Sequence, residues 1–196
     1  MYSLLLALIY LAFISLGLPD ALLGAAWPTM YPMLGVSVSS AGIISMIIAG
    51  CTIVSSLNAN RVIRKFGTGI VTATSVLMTA VALFGFSISK TFWMLCLWAI
   101  PYGLGAGAVD SALNNFVALH YASRHMSWLH CFWGIGASVG PYIMSYCLSV
   151  KNSWESGYTT VGIFQIVLTV ILFFSLPLWN KQVKMKKRVK RRNQSI

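Results

Sequence analysis

Apolar residues run almost unbroken along this chain, and the polar interruptions between them are short. They leave six apolar stretches, at about residues 3–34, 39–60, 67–89, 91–120, 127–149 and 158–179. Each is as long as the ~20 residues an α-helix needs to cross a hydrocarbon layer of ~30 Å. The pattern therefore predicts six transmembrane helices joined by short turns. The first stretch starts almost at Met1, without a positively charged lead or a small-residue cleavage site, which predicts a retained helix rather than a signal peptide.

Composition closes off the alternatives. Of 196 residues, 58% are hydrophobic and 9% charged, where a soluble domain carries about 25% charged residues. A water-soluble globule is excluded, and so is disorder, which requires low hydrophobicity. What is left is an all-α integral membrane protein with no extramembrane domain. The four cysteines, Cys51, Cys96, Cys131 and Cys147, lie inside apolar stretches without the close spacings of metal or redox sites. They are expected to be small core residues, and no metal or cofactor is implied.

Charge sets the expected orientation. Asp20, Asp110 and Glu155 are the only acids, against 14 Lys and Arg, eight of which fall in the last sixteen residues. A basic run straight after an apolar span suits a tail beside anionic headgroups, so residues 181–196 are expected to be a basic cytoplasmic tail and nucleic acid is not an expected partner. The turns after the second and fourth stretches add Arg61, Arg64, Lys65 and Arg124 to the same side, while the other side has only Lys90 and Lys151. The positive-inside rule then puts both termini in the cytoplasm of a multi-pass protein of the cell (plasma or inner) membrane.

Shifting the chain by 90 residues against itself aligns Gly17 with Gly107, Asp20 with Asp110, Leu23 with Leu113, Gly50 with Gly140, Ser55 with Ser145 and Gly67 with Gly157. Three spans per unit is an odd number, so the second unit enters the membrane from the opposite side. The expected architecture is a six-helix bundle over residues 1–180 made of two inverted three-helix repeats, about 1–89 and 91–180. Such repeats are a known plan of secondary transporters, with the site at their interface.

Asp20 and Asp110 are the candidate chemistry. An aspartate in mid-membrane costs about 2.5–3.5 kcal/mol on insertion scales, which points to a water-filled cavity or a partner. A carboxyl in such surroundings is able to load and release a proton during a transport cycle. Each follows a glycine by three residues, and Pro19 predicts a kink beside the first. In a continuous helix Asp20, Gly24, Trp27 and Tyr31 share one face, which suits a polar, ring-bearing ligand. On the fourth helix Asn114 lies one turn from Asp110. His130, on the fifth, is a candidate proton relay or ligand contact, with a structural histidine as the alternative. The glycine pairs Gly103/Gly107 and Gly136/Gly140 are read as close-packing stripes, and the other Trp and Tyr residues as mostly lipid-facing or belt residues.

Three stretches, GLPDALLGAAWP from Gly17, GLGAGAVDSALNN from Gly103 and WLHCFWGIGASVGP from Trp128, resemble the first, fourth and fifth helices of the major facilitator superfamily. The likeness is to its amino-terminal six-helix half, nearest the fucose and hexose permease-like branch, and it covers nearly the whole chain. The resemblance implies half of a major-facilitator fold, a central cavity lined by the first and fourth helices, and roles in sugar binding and proton coupling for Asp20, Asp110 and Asn114. It also implies a gating loop between the second and third helices, usually of the form Gly-x-x-x-Asp-Arg-x-Gly-Arg. Here Asn60 stands nearest the acidic position, followed by Arg61, Arg64 and Lys65.

The family has twelve helices, so the expected function is half of a transmembrane transporter. It would move a small polar solute such as a sugar with protons, within the lipid bilayer, together with a second six-helix half or by self-association. A truncated product, one chain of a two-chain transporter and a self-pairing half all fit. The alternative is an inactive or regulatory membrane protein that binds a partner without transporting. Catalysis is not expected: Ser138 sits in a GASxG-like run, but no histidine follows it, and His130 is eight residues earlier, about 12 Å along a helix axis. No phosphate-binding loop supports ATP-driven pumping.

Overall fold

The computed structural model describes residues 2–193, with side chains described for 4–179. The chain is helical nearly throughout: α1 (Tyr2–Asp20), α2 (Leu22–Met33), a 3-10 turn at Val38–Ser40, α3 (Ala41–Phe66), α4 (Thr68–Ser87), α5 (Phe92–His120), α6 (Arg124–Lys151) and α7 (Trp154–Asn193). The first two form one rod broken at Ala21, so the rods number six. Five of them are long and apolar enough to cross a membrane. The remaining rod, α6, has 28 residues, ample for a span at 1.5 Å per residue, but its run of Ser, His and Gly makes it less apolar. The expected span at 158–179 lengthens at both ends, and the backbone of the basic run continues α7 to Asn193. The side chains of that run, and residues 194–196, lie outside the described residues.

The break in the first rod has a local cause and a remote remedy. Pro19 has no N–H to give to the Ser15 carbonyl one turn back, and in lipid a freed carbonyl needs another donor. Gln165 of α7 supplies it, its amide nitrogen standing 2.9 Å from the Ser15 oxygen. The amide oxygen of Gln165 in turn accepts from the Thr79 hydroxyl of α4 at 2.7 Å. One buried side chain thus ties α1, α4 and α7.

Glycine contacts fix how the rods lie. A Cβ at Gly136 or Gly140 of α6 would collide with the carbonyls of Ile14 and Leu18 of α1, and one at Gly17 with that of Trp133. Residue numbers rise together along this contact, so α1 and α6 run parallel. Gly103 and Gly107 of α5 meet Ile48 and Thr52 of α3 in the same way, and the hydroxyls of Thr52, Ser55 and Ser56 donate to the carbonyls of Gly103, Leu104 and Gly107. That pair is parallel as well. The rod α4 runs antiparallel to α5, with Gly85 under the Trp98 ring and Gly105 against the Ser75 carbonyl, and antiparallel to α7, with Gly69 under Trp179.

Turns are made by residues suited to them. Gly67 alone separates α3 from α4, at φ 85°, a region open to glycine at no steric cost. Asn152 ends α6 at φ 48°, and Ser153 opens α7 by accepting from the Ser156 N–H at 3.2 Å.

Two sequence expectations are corrected by the packing. Tyr102, Trp154, Tyr158 and Trp179 are buried core residues rather than belt residues, Trp179 filling the space beside Gly69. Trp93, Trp128, Tyr142 and Tyr146 do face outward. Of the cysteines, Cys96 and Cys147 are buried, Cys51 is half-buried and Cys131 is exposed, and all four are free thiols; Cys131 sits on the open face of α6, away from its α1 stripe.

Candidate functional site

Asp20 is the last residue of α1, at the break. Its Oδ1 accepts from the Tyr102 hydroxyl of α5 at 2.8 Å, and its Oδ2 accepts from the Trp133 indole N–H of α6 at 2.9 Å. Three helices therefore meet on one carboxylate. The Gly17 contact with the Trp133 carbonyl brings α6 close enough for the indole to reach. Asp20 itself is exposed, and it lines a cavity of about 440 Å³ that continues between α2, α3, α4, α5 and α7. Ligand pockets of roughly 300–1,000 Å³ hold small molecules.

Asp110 is half-buried near the middle of α5. Its Oδ1 accepts from the Asn114 amide at 3.0 Å, the one-turn spacing expected on a helix. The Asn114 amide oxygen is buried and has no hydrogen-bond partner. His130 of α6 is exposed and lies within electrostatic reach of Asp110, with its ring edge-on to Phe13 of α1 at 6.1 Å. Asp110 is in turn within electrostatic reach of Asp20. Asp20 of α1 and His130 of α6 thus each lie within electrostatic reach of Asp110 of α5, which also holds the Asn114 amide.

Trp27 is placed elsewhere. It is 5% exposed, and its indole N–H donates to the Val38 carbonyl at 2.7 Å, pinning the turn before α3. The interruption at Ala21 breaks the helical register that a continuous helix would have shared with Asp20. In the α3–α4 corner, Asn60, Arg61, Arg64 and Lys65 are all exposed. Arg64 Nε donates to the Asn60 carbonyl at 3.3 Å, and these two residues with Ile63 and Asn115 line a separate cavity of about 290 Å³. Lys65 sits over the Phe66 ring at 5.3 Å.

Tyr102, Trp133, Ser45 and Tyr158 belong to the site and are not singled out by the sequence. Aromatic residues are common in membrane proteins, and contacts 82 and 113 residues apart leave no local signature. The Ser138 hydroxyl is engaged by the Gly134 carbonyl of its own helix at 2.8 Å. Among the described residues no group of three or more metal-ligating side chains occurs.

Residues 9–195 match the sequence profile of the Major Facilitator Superfamily. The chain belongs to that superfamily. Two relatives agree. Bypass of stop codon protein 6 of Saccharomyces cerevisiae is 25% identical over 169 residues, covering 82% of this chain and 33% of that protein. Glucose/mannose transporter GlcP of Bacillus subtilis is 27% identical over 123 residues, covering 61% of this chain and 30% of that protein. The chain spans about a third of the length of these curated relatives. Long apolar helices and superfamily membership together make this a multi-pass membrane protein of a transporter family.

Proposed function

We propose that this chain is a half of a proton-coupled transporter for a small polar solute, a hexose being the leading candidate, and that it works with a second six-helix half or a second copy. The observation that carries the reading is the placement of Asp20 and Asp110. Both are near the middle of their spans, yet one lines an open cavity and the other lies beside Asn114 and His130 on the same converging helices. Membrane carboxylates that reach a cavity are where transporters bind ions and polar solutes. In this reading Asp20 and Asn114 hold the solute, while Asp110 with His130 exchanges the proton. Asn60, Arg61, Arg64 and Lys65 close the α3–α4 end, and Trp27 supports the site by fixing the neighbouring turn.

The two inverted repeats belong to the same proposal. Ser15 meets Gln165, and Gly105 meets Ser75; Ser15 and Gly105, and likewise Ser75 and Gln165, are related by the same 90-residue shift that aligns Asp20 with Asp110. We also read the termini as cytoplasmic, in the cell membrane, from the loop charges given above.

Uptake in proteoliposomes tests the function. The chain, alone and co-produced with a second six-helix half, is given labelled glucose and mannose with and without an imposed proton gradient. Gradient-stimulated uptake by the pair is expected, and it falls at least tenfold in Asp110→Asn. Uptake that survives Asp20→Asn and Asp110→Asn together sinks the coupling. Absence of uptake in every arm favours the other reading, a membrane protein that binds a partner without transporting, which the broadly exposed apolar surface of α3 would serve.

A further inference from the structure

The cavity that begins at Asp20 does not stop at the helices carrying the aspartates. It is lined as well by Ser45 and Ile48 of α3, Leu83 and Phe86 of α4 and Tyr158 of α7. Tyr158 is 2% exposed. Its ring is held 5.4 Å from Phe86 and edge-on to Trp154 at 6.0 Å. Buried tyrosine hydroxyls normally find a hydrogen-bond partner. The second tyrosine of the recess, Tyr102, has one in Asp20. Among the described residues the Tyr158 hydroxyl has none, and the recess is the space beside it. The indole N–H of Trp154, one turn back, is likewise buried without a partner.

We propose that the recess ending on Tyr158 takes a hydroxyl-bearing part of the solute, and that Tyr158 is a specificity-determining residue that hydrogen-bonds that hydroxyl. The inference rests on the proposed function and names the half of the site that reads the solute rather than the half that moves the proton.

The chemistry of the recess selects a neutral polyol. Among the described residues no cation lines it, and the Asp20 carboxylate that does disfavours an anion. Each Asp20 oxygen holds one protein donor and has a second lone-pair direction available, so the carboxylate can also receive a pair of neighbouring hydroxyls. Phe86 and Leu83 offer apolar surface to the C–H side of a sugar ring. A phenol both donates and accepts, so Tyr158 can satisfy a hydroxyl at the far end. A molecule lacking that hydroxyl leaves two groups unpaired in an apolar pocket, which is how polar sites reject deoxy analogues strongly.

Equilibrium binding to the full chain in lipid nanodiscs tests this, with D-glucose and its series of monodeoxy analogues as probes. One analogue is expected to bind the parent chain about tenfold more weakly than glucose, the size of one hydrogen bond. In Tyr158→Phe, glucose falls to the affinity of that analogue, and the analogue itself is unchanged. Thermal stability stays at the parent value, because the hydroxyl removed has no protein partner; a structural role would lower it. Leu83→Phe, which adds bulk to the lining of the recess, is expected to weaken glucose as well. Unchanged glucose binding in both variants, or equal weakening of every analogue, overturns the inference while Asp20→Asn still weakens all the sugars and the proposed function stands. If neither the chain alone nor the chain co-produced with a second six-helix half binds any sugar of the series, the proposed function falls and this inference with it.

Discussion

At the scale of single residues, the bundle depends on a glutamine that no apolar pattern would single out. Gln165 is 1% exposed and occupies both ends of its amide, giving to the carbonyl freed by Pro19 and taking from Thr79. Replacing it with leucine keeps the volume but leaves the Ser15 carbonyl without a donor. The expected cost is about 1–3 kcal/mol, read as a lower midpoint of thermal unfolding in detergent. A Pro19→Ala, Gln165→Leu double variant should recover part of the loss, since the restored N–H takes over the carbonyl. The aspartates were visible in the sequence because an acid within an apolar run is rare and expensive. Their partners were not. Nothing local to Tyr102 or Trp133 records that each donates to Asp20 in another helix, and the face that Trp27 presents depends on a register that Ala21 interrupts.

At the scale of helices, the glycine stripes decide which rods touch. The spacing of Gly103 with Gly107 and of Gly136 with Gly140 was legible as a packing signal, and each pair meets backbone in a parallel neighbour. Which neighbour was not legible, since small residues say that something approaches closely and not what. Gly136→Val should force α6 away from α1 and carry the Trp133 indole out of reach of Asp20. A cysteine cross-link between α1 and α6 should slow markedly, and solute binding should weaken, while Gly134→Val, at a position with nothing within 4 Å, leaves both unchanged. Equal effects of the two substitutions would show that the stripe has no special place in the α1–α6 contact. The ends of helices were harder to read than their cores. The chain continues α3 to Phe66 and α7 to Asn193, because polar and basic residues at a helix end are stable once they leave the hydrocarbon.

At the scale of the whole molecule, the distribution of exposed apolar side chains is uneven. Only 6% of the α3 span is buried, against 67% of that of α4, and Met46, Ile53 and Leu57 all face outward along one rod. In the proposed assembly this rod and the open side of α6 meet the second half. Single cysteines at Met46 and Leu57 are then expected to cross-link to that half when the two are co-produced, whereas one at Phe174 of α7, 83% exposed, is not. Cross-linking at all three alike would mean random collision in the bilayer. Six rods and their membrane character followed from the length and apolarity of the runs, so this level was the most legible, with α6 alone too polar to meet the same standard.

The single glycine between α3 and α4 has a mechanical consequence. Seven residues, 34–40, connect α2 to α3 and include a 3-10 turn, whereas Gly67 alone forms the other joint. One end of α3 is therefore joined through seven residues, held at Val38 by the Trp27 indole, and the other through a single residue. A tilt of that rod about the Gly67 joint would carry its other end, with Ser45 and Ile48, across the cavity that both residues line, like a door on its hinge.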